Sequence, residues 1–127
     1  MLELGGNQLV GTIPTQMGNL KRLNSLWLYE NNLNGPIPTE LMNCVDMKEM
    51  YFYMNSLTGS LSSNIGKLSK LKSISTVGNS MEGSIPTELF LCKQLQIAYL
   101  SDNQYNGTVP TFIGQLENLR DRKYRYV

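Results

Sequence analysis

The side chains best suited to chemistry in this sequence are aromatic and acidic rather than nucleophilic. Trp27, Tyr29, Tyr51, Tyr53 and Tyr99 recur at related positions, with Glu30, Glu49 and Asp102 at their margins. Side chains with an apolar body and a polar tip are typical recognition groups, and a carboxylate beside them favours a basic group on the ligand. Catalysis fits poorly. The 127-residue chain has no histidine, which removes Ser-His, Cys-His and His-metal chemistry. Glu30 and Glu49 lack the fixed acidic partner that paired-carboxylate hydrolysis needs, and no phosphate-cradling loop or kinase motif occurs. The expectation is no catalytic residue, no metal and no cofactor.

The elements that must position these residues are repeats. Asparagine falls every 24 residues, at Asn7, Asn31, Asn55, Asn79 and Asn103, and glycine follows four later at Gly11, Gly35, Gly59, Gly83 and Gly107. An aliphatic residue comes next (Ile13, Ile37, Leu61, Ile85, Val109), then Pro14, Pro38, Ser62, Pro86 and Pro110. Before each asparagine stands an apolar pair, such as Leu26 and Leu28 or Met50 and Phe52, alternating with variable residues. That period of two predicts a half-buried strand. After the proline, apolar residues are spaced by three, as in Leu41, Cys44 and Met47, which predicts a 3₁₀-like turn. One unit cannot enclose its apolar side chains, but stacked units can, so the units form a solenoid.

The pattern L-x-L-x-x-N-x-L-x-G-x-I-P resembles plant-type leucine-rich repeats, as found in receptor-like kinase ectodomains and polygalacturonase-inhibiting proteins. The match runs through residues 1–121, as repeats 2–25, 26–49, 50–73, 74–97 and 98–121, leaving 122–127 as a basic tail or truncated sixth repeat. The resemblance implies an α/β-type repeat solenoid: a right-handed coil with a parallel concave sheet and short 3₁₀ or helical turns on the convex side. It also implies non-catalytic recognition of a protein or peptide, within a receptor-like, defence or signalling protein. Inhibition of a secreted polysaccharide-degrading enzyme is the alternative, and an ice-binding or structural role a second one. The cysteine-bearing N-terminal cap of secreted members and a C-terminal cap are missing from the pattern. The expectation is therefore a fragment, an incomplete product or an intracellular variant, although the family suggests an extracellular or membrane-attached parent.

Several columns have architectural readings. The asparagines are expected to turn inward and bond unpaired backbone groups, and the glycines to supply positive φ or close approach. The hydroxyl column Thr15, Thr39, Ser63, Thr87 and Thr111 is expected to cap the turns, with an ice-binding array as the competing reading. Cys44 and Cys92 lie two units apart, about 9–10 Å, beyond disulfide reach. Gly18, Gly66 and Gly114 alternate with Met42 and Phe90, which are expected to fill the gap above the cysteines.

In a stacked solenoid the variable strand residues form three outward columns. They run Ser25, Glu49, Ser73, Ile97; then Glu3, Trp27, Tyr51, Ser75, Tyr99; then Gly5, Tyr29, Tyr53, Val77, Ser101. Trp27, Tyr29, Glu49, Tyr51, Tyr53 and Tyr99 are the expected ligand-binding residues, and the partner a protein or peptide. A net charge of +1 gives no general field for nucleic acid. No apolar run is long enough to insert in a membrane, and the first residues lack the pattern of a secretory signal. Asn106-Gly107-Thr108 is a possible glycosylation acceptor on the predicted loop side. The uncapped ends are expected to make the isolated chain marginal and prone to self-association.

Overall fold

The computed structural model describes residues 1–120, and the basic stretch expected at 122–127 lies outside them. The apolar-x-apolar segments form short strands, Leu2–Glu3, Ser25–Trp27, Glu49–Tyr51, Ser73–Ser75 and Ile97–Tyr99. These pair in parallel, in chain order, as one five-stranded sheet. Its register is one repeat: Leu26 lies beside Met50, Met50 beside Ile74 and Ile74 beside Ala98. The chain is therefore a solenoid of coils, with this sheet on its concave side.

The core is a single column of apolar side chains contributed by every coil. Leu26, Met50 and Ile74 from the strands, and Leu41, Cys44, Ile65, Leu68 and Cys92 from the turns, are fully shielded from solvent. Both cysteines are free thiols, and each Sγ lies 3.4 Å from a carbonyl one coil earlier, Met17 for Cys44 and Ile65 for Cys92. Met42 and Phe90 are buried, so they fill space rather than form an exposed patch. Their alternation with glycine has a further cause. A Cβ at Gly18 would collide with the Glu40 carbonyl, and one at Gly66 would lie 3.1 Å from Glu88 Cβ. Glycine in these coils lets the next turn press directly onto backbone.

The asparagines are the internal brackets between coils. Asn31 Nδ2 donates to the carbonyls of Leu4, Leu28 and Tyr29, while its Oδ1 accepts from Leu9 N–H at 2.9 Å. Asn55 and Asn79 repeat the arrangement, and Asn103 reaches back to Thr76 O at 2.8 Å. The Asn7 side-chain amide donates to the Leu4 and Gly5 carbonyls, both in its own coil. One amide thus satisfies backbone groups of two coils where the strand bends away.

Two features depart from the sequence reading. The segment after each asparagine is a second, outer ladder rather than plain loop. Val10–Thr12, Asn32–Gly35 and Ser56–Leu57 form one parallel sheet, and Glu82–Ser84 pairs with Gln104–Asn106 in another. Here Val10 lies beside Asn32 and Asn34 beside Ser56, a stagger of 22 residues instead of 24. Asn106 accordingly ends an exposed strand, not a loop.

The turns Thr15–Asn19, Thr39–Asn43, Ser63–Lys67, Thr87–Leu91 and Thr111–Gln115 are 3₁₀, but their leading hydroxyls do not cap them. The cap position belongs to the preceding residue, which is proline in four coils and has no side-chain acceptor. The hydroxyl column sits one residue too late. Only Ser62, standing in the proline column, caps: its Oγ accepts from Asn64 N–H at 3.1 Å.

Candidate functional site: an aromatic face on the five-stranded sheet

The outward columns meet on the five-stranded sheet. Glu3 registers with Trp27, Trp27 with Tyr51, Tyr51 with Ser75 and Ser75 with Tyr99. Trp27 and Tyr51 have ring centroids 5.7 Å apart and tilted by 35°. Tyr29 and Tyr53 stack at 4.8 Å with planes within 7°. Such pairs are stabilised beyond simple area burial by complementary ring quadrupoles. The Tyr29 ring also lies over Gly5, where a Cβ would fall 2.5 Å from it. The four rings form a block across coils 2 and 3, each half-buried.

Polar contacts hold the rings at fixed angles. Trp27 Nε1–H donates to Glu49 Oε2 at 3.2 Å, and the Tyr51 hydroxyl donates to Ser73 Oγ at 3.0 Å. In both contacts a second-column side chain leans one strand onward, onto the first column. This lean has a consequence that column arithmetic does not give. Ser73, Ser75 and Val77 occupy outward positions yet are buried, because the small residues on and after the strand Ser73–Ser75 lie beneath the tyrosines of neighbouring strands. Tyr99, half-buried, stands beyond this covered trough in register with Ser75.

A left-handed backbone position borders the face. Glu30, Met54 and Asp102 have φ between 51° and 56°, and Gly6 and Gly78 occupy the same column. The glycines in coils 1 and 4 were the sequence signal for this bend, which turns the chain from strand to asparagine. Among the described residues no group of three His, Cys, Asp or Glu side chains could hold a metal ion. Among them, too, no helix is long and apolar enough to cross a membrane. A shallow cleft of about 490 Å³ lies elsewhere, on the flank of coils 3 and 4, between Ser60, Ser63, Ser84, Thr87 and Glu88.

The model of the family described as Leucine Rich Repeat matches residues 22–44. The stack is similar to a plant peptide hormone receptor, RGFR1 in complex with RGF2, with TM-score 0.91 and 39% identity over 92% of this chain. These are leucine-rich repeats of the plant type. The leucine-rich-repeat chain is also similar to the Arabidopsis receptor kinase HAESA, solved with the peptide hormone IDA and the co-receptor SERK1 (TM-score 0.89, 33% identity, 92% of this chain). A plant ice-binding protein is a further structural relative, with TM-score 0.82 and 30% identity over 91% of this chain and 38% of its own. The chain spans only 19% and 20% of the length of the two receptor chains. No curated protein matches it.

Proposed function

We propose that this leucine-rich-repeat stack is a non-catalytic recognition module that takes a protein or peptide on its five-stranded face. The observation that carries the reading is the in-register block of Trp27, Tyr29, Tyr51 and Tyr53, half-buried and pre-stacked. Rings held by neighbours lose little freedom on binding, so their contact area is converted to affinity at low entropic cost. The receptors similar to this chain were solved with peptide hormones, which supports a peptide as the partner class. Replacing Trp27 and Tyr51 together with alanine should abolish capture of partners that the parent chain retrieves. A double variant that is folded and retrieves the same partners would overturn the reading.

A second reading has one observation behind it. The hydroxyls of Thr15, Thr39, Ser63, Thr87 and Thr111 repeat once per coil along the convex side, and an ice-binding protein shares the fold. Thermal hysteresis that falls on Thr39→Val and Thr87→Val, and not on the aromatic changes, would favour it.

A further inference from the structure

We infer that Trp27, Tyr51 and Glu49 form a subsite for a guanidinium group, the arginine side chain of an extended peptide lying on the five-stranded face. The inference rests on the peptide reading above and gives it a chemical specificity. Glu49 is a half-buried carboxylate whose Oε2 accepts from the Trp27 indole N–H at 3.2 Å. One neutral donor fixes the group in place without neutralising it. Among the described residues the ion pair present is Lys70 with Asp46, and no lysine or arginine pairs with Glu49. A carboxylate partly removed from water and left without a counter-charge is a poor resting state and a good receptor for a cation.

The surroundings select the shape of that cation. The rings of Trp27 and Tyr51 lie 5.7 Å apart at 35°, and the carboxylate sits at the indole N–H edge of Trp27. Their negative π faces attract a cation, and a planar one gains stacking as well. Tyr51 is held by its hydroxyl bond to Ser73, so its ring presents a fixed face. Glu3 registers with Trp27 from the opposite coil and adds a second negative charge to the approach. A guanidinium stacked on Trp27 can present its donors to Glu49 along the ring edge. An ammonium reaches the same carboxylate as a point charge and lacks the stacked contact.

The test uses the whole chain and a random heptapeptide library. The parent should enrich peptides with arginine at one position. Replacing that arginine by citrulline, its neutral near-isostere, should weaken binding about tenfold or more, and lysine should fall between them. Glu49→Gln retains an oxygen for the indole N–H, and should lose both the arginine enrichment and the arginine–citrulline difference. Trp27, the sole tryptophan of the sequence, reports occupancy by its fluorescence. Enriched peptides without arginine, or equal binding of the citrulline form, would overturn the subsite and leave the peptide face standing. Tyr29→Ala/Tyr53→Ala serves as the control for that face. If this variant enriches the same peptides as the parent, or the parent enriches none, both readings fail.

Discussion

The hydroxyl of Tyr105 lies 3.4 Å from Oγ1 of Thr76, inside the core and across two consecutive coils. Thr76 stands where other coils place a leucine or phenylalanine, and Tyr105 where they place the apolar residue after the asparagine. Each is an exception to the pattern, and each supplies the other's partner. Tyr105 also donates to Met81 Sδ at 3.3 Å.

Tyr105→Phe should destabilise the chain by about 1–2 kcal/mol, because the fully buried Thr76 hydroxyl loses its side-chain partner. Adding Thr76→Val to the Tyr105→Phe variant should recover part of the loss. Urea midpoints of the two single variants and the double variant give the coupling. Additive effects would mean that the two hydroxyls act independently.

Asn55→Ala removes an amide that donates to Leu28, Phe52 and Tyr53 carbonyls and accepts from Leu33 N–H. It should lose about 3 kcal/mol or more, since backbone groups of two coils are left unpaired. Asn7→Ala, which removes side-chain bonds that are exposed and confined to one coil, should lose under about 1 kcal/mol. Equal losses in thermal melts would contradict the bridging role.

Gly18→Ala should be destabilising by about 1–3 kcal/mol, because its methyl would meet the Glu40 backbone. Gly114→Ala, at the equivalent place in coil 5 with no atom within 4 Å, should be neutral or stabilising by up to about 1 kcal/mol. The contrast between the two denaturation curves is the readout.

Burial pushes the Cys92 thiol up from 9.0 to about 11. The unfolded chain therefore releases this proton first, so stability is complete below about pH 9 and falls as pH rises through 11. The slope from this group is about 1.4 kcal/mol per pH unit within that window. Tyr105, raised by burial more than its bond to Thr76 lowers it, adds to the loss above pH 10. Melts across this range should show a shallower decline for Cys92→Ala than for the parent.

The inner architecture was legible because identical residues fall at a fixed interval. Asn31, Asn55 and Asn79 fall on one another by their 24-residue interval alone. The outer ladder was not legible, since its segments are very short and carry glycine or asparagine, as in Val-Gly-Thr and Asn-Leu-Asn-Gly, residues that disfavour strands. Their pairing follows from being held side by side by the stack. The hydroxyl column was misread for a positional reason: Thr39 is the first residue of its turn, and the cap precedes it at Pro38. On the aromatic face, alternation gave the columns that hold Trp27 and Tyr51. It could not give the lean of Tyr51 over Ser73, which depends on side-chain length on one strand and smallness on the next.

The two ladders count differently, 24 residues per coil inside and 22 outside. Equivalent outer residues are therefore displaced by two strand positions, about 6.6 Å, at each step. A line of equivalent outer residues therefore runs oblique to the hydrogen bonds of that ladder. A ligand bridging equivalent outer side chains would cross that ladder on the slant, whereas one on the five-stranded face would meet equivalent residues straight across.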